Sequence, residues 1–230
     1  MNSLRVMTYN IRLGIQQGPE AIGAIIQRAA PDVVALQEVG KHWSMGPQGD
    51  TAQEIADILG WPHVLYVNTI EQQGHRYGHA LLSRHGFTQS RQLALPQHRD
   101  EPRALLSAQL NHAPSPVILS THLSHLKDER PAQAKVLVAQ AREHARLGDP
   151  VIILGDLNAH HDTPWLRALT QDFQDADAQR ARLTFPSHDP KVRLDYLLTH
   201  GGSWSDPDVI EDSEASDHFA LCATWTPTNA

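Results

Sequence analysis

Apolar residues along the chain come in short runs broken by glycine, proline and acidic residues. Nine runs read as strands: 4–9, 33–37, 64–67, 79–83, 105–110, 117–121, 151–154, 194–198 and 219–225. Three stretches between them repeat apolar residues at helical spacing. Residues 19–30 begin with Pro19, which suits a first turn, and set Ile22, Ile25 and Ile26 on one face. Residues 51–59 do the same with Ile55, Ile58 and Leu59 before Gly60 stops them. Residues 128–147 carry acidic residues and Pro131 at the start, Val136, Leu137 and Ala141 along the length, and Gly148 and Pro150 beyond the end.

The runs VVAL (33–36) and VIIL (151–154) are apolar at every position, so both faces of those strands need cover. LLSAQL (105–110) alternates more and suits a place nearer a sheet edge. Helices outside two packed sheets satisfy both demands, so an α/β sandwich is the expected architecture. The 15 prolines and 14 glycines are scattered singly, and there is no linker, low-complexity tract or repeat at a fixed period. Residues 1–230 are therefore expected to form one domain.

Composition narrows the function classes. A net charge of -7 provides no basic field for a polyanion, which disfavours duplex nucleic acid as a partner. Cys222 is the only cysteine, so no intrachain disulfide can form and a disulfide-stapled secreted scaffold is excluded. The opening stretch MNSLRVMTYN has no charged-then-apolar leader, and no apolar run approaches the roughly 18 residues of a membrane span. The expectation is a soluble, cytoplasmic monomer. There are 15 histidines, many for this length, so position must decide which ones matter.

Position points to the strand ends. RVMTYN stops at Asn10, VVALQE at Glu38, VILSTH at His122 and VIILGDLN at Asp156 and Asn158, while EASDHFAL opens its strand with Asp217 and His218. Loops beyond strand ends are where sites are assembled, because the rigid sheet fixes the Cα positions. In extended backbone Asp156 and Asn158 would project to one side and reach one phosphate or water together, whereas the bland reading of GDLN is an Asx turn closing a strand. The neighbours Asp217 and His218 would point apart, one toward a metal and one toward substrate.

The ordered set TYN, LQE, YGHALLS, STHL, GDLN, LDYLL and SDH, spread from Thr8 to His218, resembles the endonuclease/exonuclease/phosphatase family of metal-dependent phosphoesterases. The resemblance covers nearly the whole chain. It implies a DNase I-like, four-layer α/β sandwich: two packed mixed β-sheets flanked by helices. It also implies a magnesium ion, or manganese in its place, held by Glu38 with help from Asn10 and Asp217, a set of hard oxygen ligands. Asp156 would align or deprotonate the attacking water, Asn158 and His122 would donate to phosphoryl oxygens, and His218 would contact the phosphate with Asp195 behind it.

Two positions depart from the family pattern. His79 of YGHALLS stands where most relatives have asparagine, and it reads as structural before it reads as a mark of substrate. The tyrosine of the DNA-repair members has no match, because Tyr77 falls too close to the strand. Arg103 could bind a phosphate or acidic headgroup, although a surface arginine is the plainer reading. His160 and His161 read as a polar cap leading toward Trp165 rather than a second metal site. Arg130 and Gln133 read as structural contacts.

The expected function is hydrolysis of a small-molecule or lipid-derived phosphodiester by metal-assisted attack of water. The alternatives are a DNA or RNA nuclease and a catalytically silent binding module. Retention of Glu38, Asp156, Asn158, Asp195, Asp217, His122 and His218 together favours an enzyme.

Overall fold

The computed structural model describes residues 3–179 and 182–228. In chain order the elements are β1 (Leu4–Asn10), a 3-10 turn (Arg12–Gly14), α1 (Gly18–Ala29), β2 (Val33–Lys41), α2 (Thr51–Leu59), β3 (His63–Gln72), β4 (His75–Ser83), β5 (Phe87–Ala94), β6 (Ala104–Leu110), β7 (Val117–His122), α3 (Arg130–Leu147), β8 (Val151–Asp156), α4 (Pro164–Leu169), β9 (Gln174–Asp175), β10 (Asp195–His200), β11 (Gly202–Ile210) and β12 (Ala220–Pro227). They build two six-stranded sheets, ordered β11-β12-β1-β2-β4-β3 and β5-β6-β7-β8-β10-β9.

The two orders are the same order. In each sheet a parallel pair, β1 with β2 or β7 with β8, sits at the centre and every other pairing is antiparallel. In each a long helix connects the parallel pair and a shorter helix follows the second strand. The fold thus repeats a topology that the residues do not repeat. Its consequence is that Asn10 and His122 end equivalent strands, as do Glu38 and Asp156 near the ends of β2 and β8.

Strand alternation divides the core into three layers. Leu4 and Val6 of β1, Val33 and Ala35 of β2, and Ile152 and Leu154 of β8 pack between the sheets. Met7, Tyr9, Val34 and Leu36 face the other way, onto Ile22, Ile25 and Ile26 of α1 and Ile55 of α2. Val151 and Ile153 face Ala134, Leu137 and Ala141 of α3. The expected four-layer sandwich is what the chain forms, and the fully apolar VVAL and VIIL are covered on both faces for this reason.

Local signals set most boundaries. Asp50 caps α2 by accepting the backbone N–H of Gln53, and Gly60 ends it in left-handed conformation. Gly148 ends α3 likewise. The expected start of that helix at residue 128 is two residues early, because the Glu129 carboxylate turns away to accept the backbone N–H groups of Arg99 and Asp100.

Three strands escape the sequence pattern. β5 is almost wholly exposed, β9 is two residues long, and β11 carries Pro207 and two aspartates. All lie at sheet edges, where backbone pairing holds a strand whose side chains need no apolar face. No helix among the described residues is long and apolar enough to cross a membrane.

Candidate active site

The strand ends singled out by sequence come together. Glu38, His122, Asp156, Asn158, Asp217 and His218 all line one cleft of about 610 Å³, between the equivalent ends of the two sheets. Asn10 and Asp195 are fully buried at their strand ends and reach these groups from behind. Asn10 joins the two halves: its Nδ2 donates to Glu38 Oε1 at 3.0 Å and to Asp156 Oδ2 at 3.1 Å, while its Oδ1 accepts the Arg12 N–H.

Irregular backbone aims the side chains. A β-bulge sets Gln37 and Glu38 of β2 opposite His79 alone, and Glu38 takes a φ of 54°. Without that extra residue Glu38 would follow the alternation of β2 instead of turning into the cleft. Asn158 is also left-handed, at φ 47°. Strain of this kind costs roughly 1–3 kcal/mol per residue and persists where the surroundings enforce it. Asp156 and Asn158 do not meet through extended backbone, as their spacing suggested. Asp156 Oδ1 instead accepts the Asn158 N–H at 2.8 Å, an Asx turn, and the turn carries the Asn158 amide to Leu123 O at 2.9 Å and His122 Nε2 at 3.1 Å. Gly155 before it has φ 146°, and a Cβ there would lie 1.9 Å from Thr121 O on β7.

Two imidazoles flank the Asp156 carboxylate, His122 Nε2 at 3.5 Å and His218 Nε2 at 3.7 Å from Oδ2. Their other nitrogens meet opposite charges. His218 Nδ1 lies 2.9 Å from Asp195 Oδ2, and the Phe185 ring packs 4.7 Å from it. Burial alone would lower the His218 pKa, but the Asp195 carboxylate outweighs it and pushes the group up to about 10. His122 Nδ1 lies 2.7 Å from an Arg103 nitrogen, and burial together with that guanidinium holds it well below the ordinary range, neutral. Burial and the nearby Asp195 charge raise the Asp156 carboxyl, and burial with the Asp217 charge raises Glu38.

Arg103 is not a surface residue. It is 6% exposed and paired with Glu101 Oε1 at 2.6 Å. His79 is buried in β4, where desolvation and the Arg103 charge push it down to about 3. Arg130 and Gln133 hold the loop after β7 by bonds to Ser124 and His125, as structural contacts would. His160 pairs with Asp162 in the turn before α4.

The Endonuclease/Exonuclease/phosphatase family model matches residues 7–218. The chain belongs to this family. Membership makes it a hydrolase of the phosphoesterase or nuclease type. No curated protein matches it. Among solved structures it resembles an endonuclease/exonuclease/phosphatase from Beutenbergia cavernae, with a TM-score of 0.82 and 23% identity, over 100% of this chain and 73% of that one. It is also similar to a mannosyl-6-phosphatase of Bacteroides thetaiotaomicron (TM-score 0.77, 16% identity, 97% and 99% covered) and to the human Nocturnin catalytic domain with bound sulfate (0.76, 20%, 98% and 95%). At these identities the likeness is one of fold.

A family member of this kind generally uses a divalent metal, and the donor set suits one. Asp156, Asp195 and His218 offer ligand atoms within 4.8 Å of one another, a buried group that could bind a metal. Sequence reading gave those three to the reaction and gave the metal to Glu38, Asn10 and Asp217. Glu38 and Asp217 are two carboxylates in one cleft whose mutual repulsion a hard cation would relieve.

Sequence reading missed one side of the cleft. Trp43, Met45, Ile70 and Tyr77 form an apolar wall beside the polar floor, with the Trp43 and Tyr77 rings 5.6 Å apart. Asp100 and Glu101 lie between this wall and His122. Tyr77 opens the YGHALLS stretch without signalling an apolar wall, and the others sit on loops or, for Ile70, toward the end of β3, where no motif marks them.

Proposed function

We propose that the protein is a metal-dependent phosphodiesterase acting on a small-molecule or lipid-derived phosphodiester. The observation that carries this reading is the composition of the cleft: a floor of Glu38, Asp156, Asn158, Asp217 and two imidazoles abutting the apolar wall. Among the described residues lining it, Arg103 is the only arginine and none is a lysine. A strand of nucleic acid needs a cationic track for its flanking phosphates, so one phosphate with an apolar ester group suits this cleft better.

Glu38 and Asp217, with Asn10 in support, would hold Mg²⁺ or Mn²⁺, which supplies charge neutralisation and polarisation of a phosphoryl oxygen. Asp156 has the raised carboxyl of a base poised near neutral pH and is placed to take a proton from water. The Asn158 amide would donate to a non-bridging oxygen, and His122 Nε2 would do so where the phosphate replaces its present contact with that amide. The His218 imidazolium, kept charged by Asp195, opposes the negative charge that builds as the ester bond to phosphorus breaks. His79 supports the floor from behind. The protein is taken to work as a single-domain monomer in the cytoplasm, consistent with its lone, buried and unpaired cysteine.

The deciding experiment compares bis-p-nitrophenyl phosphate, p-nitrophenyl phosphate and supercoiled plasmid with Mg²⁺. The diester should be cleaved fastest, since the floor matches a monoanion better than a dianion. Faster turnover of the monoester, or plasmid nicking at sub-micromolar enzyme in about 150 mM salt that vanishes in Asp156→Asn, would defeat the reading in favour of a phosphatase or a nuclease.

A further inference from the structure

We propose that the mouth of the cleft is a docking surface for a zwitterionic phospholipid bilayer, which presents its lipid phosphodiesters to the site; this narrows the substrate class of the phosphodiesterase reading and rests on it. The docking surface is built from two loops that stand outside the polar floor.

Among the described residues the exposed large apolar side chains are Ile15, Met45, Ile58, Leu147 and Leu183. Two of them, Ile15 at 43% and Met45 at 57%, lie on neighbouring loops that follow the parallel strands β1 and β2. The loops pack on each other: a Cβ on Gly14 would lie 3.5 Å from the Pro47 ring, and one on Gly46 would lie 3.2 Å from Ile15 Cγ2. The first loop is set rather than slack. Arg12 and Leu13 hold left-handed backbone at φ 46° and 59°, and the N–H groups of Gly14 and Ile15 close the turn onto the carbonyls of Ile11 and Arg12. That turn buries Leu13 and leaves Ile15 outside.

Single exposed apolar residues are ordinary, but these two continue inward. Met45 lines the cleft together with Leu13, Trp43, Ile70 and Tyr77, so apolar side chains run from the exterior onto the wall that would take the ester group. Neither loop carries a charge over residues 13–19 (LGIQQGP) or 43–49 (WSMGPQG). A stable protein interface takes roughly 20–30 residues a side, whereas a bilayer accepts a few apolar side chains pushed past its headgroups. Half-buried Trp43 is of the type that settles at such a boundary. Charge selects the kind of bilayer. A protein of net charge -7 is repelled by an anionic leaflet, and Arg12, the cation beside the crest, is turned to Asp217 at 3.5 Å. A zwitterionic surface imposes no such penalty.

The test is co-sedimentation of the full chain with phosphatidylcholine vesicles, with no divalent ion added so that binding is read apart from turnover. The wild type should sediment with the vesicles. Ile15→Ser should bind about tenfold more weakly, and Ile15→Leu should bind like the wild type. Replacing about a third of the lipid by phosphatidylserine should weaken binding of the wild type. With Mg²⁺, Ile15→Ser should cleave bis-p-nitrophenyl phosphate at the wild-type rate and lose about tenfold on vesicle lipid. Absence of wild-type binding at millimolar lipid, equal binding or equal vesicle cleavage by Ile15→Ser, or tighter binding to the phosphatidylserine vesicles would overturn the proposal. A wild-type dimer that Ile15→Ser dissociates would overturn it in favour of a second copy of the chain on this crest. The two readings fail separately: cleavage of bis-p-nitrophenyl phosphate without vesicle binding keeps the phosphodiesterase and removes the docking surface, and vesicle binding that depends on Ile15 without cleavage of any diester does the reverse.

Discussion

His218 and Asp195 meet across the two sheets, Nδ1 to Oδ2 at 2.9 Å, both buried. The imidazolium pKa rises from 6.5 in the ordinary state to about 10 in this pair. A raised pKa means the pair stabilises the fold fully below about pH 6.5 and loses that contribution as pH rises through about 10. In metal-free protein, Asp195→Asn should therefore lower Tm more at pH 6 than at pH 10.5. Equal losses at the two pH values would show that the pair is not an ion pair.

Asp156→Asn and His218→Ala should each lower turnover by at least about a thousandfold, because both groups act on charge that develops only in the transition state. Asp195→Asn should cost less, since it acts through His218. Steady-state rates of folded variants decide this, and an Asp195→Asn loss as large as that of His218→Ala would make simple orientation too weak a role.

Glu38→Gln should raise the Mg²⁺ concentration for half-maximal rate by about tenfold or more while leaving Tm nearly unchanged. A metal titration of both proteins on one substrate checks it. Equal half-saturation would remove Glu38 from the metal and shift attention to the Asp156, Asp195 and His218 group.

Trp43→Ala should discriminate between ester groups. It is half-buried on the apolar wall and stacks near Tyr77, away from the groups on the polar floor. KM for an aromatic diester should rise by about five- to thirtyfold, the worth of one to two kcal/mol of lost apolar contact, with kcat little changed. The same change for dimethyl phosphate and for an aromatic diester would mean that the wall does not bind the ester group.

The sequence by itself determined the strands that are apolar throughout, the three long helices and the chemistry at the strand ends. Runs such as VIIL have only one physical use, burial on both faces, and polar residues directly after them have few reasons to be there. Glu38, His122, Asp156, Asn158, Asp217 and His218 were legible because each is tied to such a strand, and the strand carries it to the cleft. Edge strands β5 and β11 were not legible, since backbone pairing to a neighbour leaves no periodicity in side chains.

Only the tertiary structure decided how the ends meet. The two sheets share one strand order without sharing sequence, so their equivalent ends face each other only once both sheets are assembled. The bulge at Glu38 and the Asx turn at Asp156 re-aim side chains by single residues, below what spacing can reveal. Arg103 shows the limit most clearly: as a residue before a strand it reads as a surface cation, and it is buried because its loop, which also carries Asp100 and Glu101, meets His122 at the end of β7 and Ser124 just after it. Charge placed by local pattern is visible in a sequence; charge placed by the meeting of distant segments is a property of the fold.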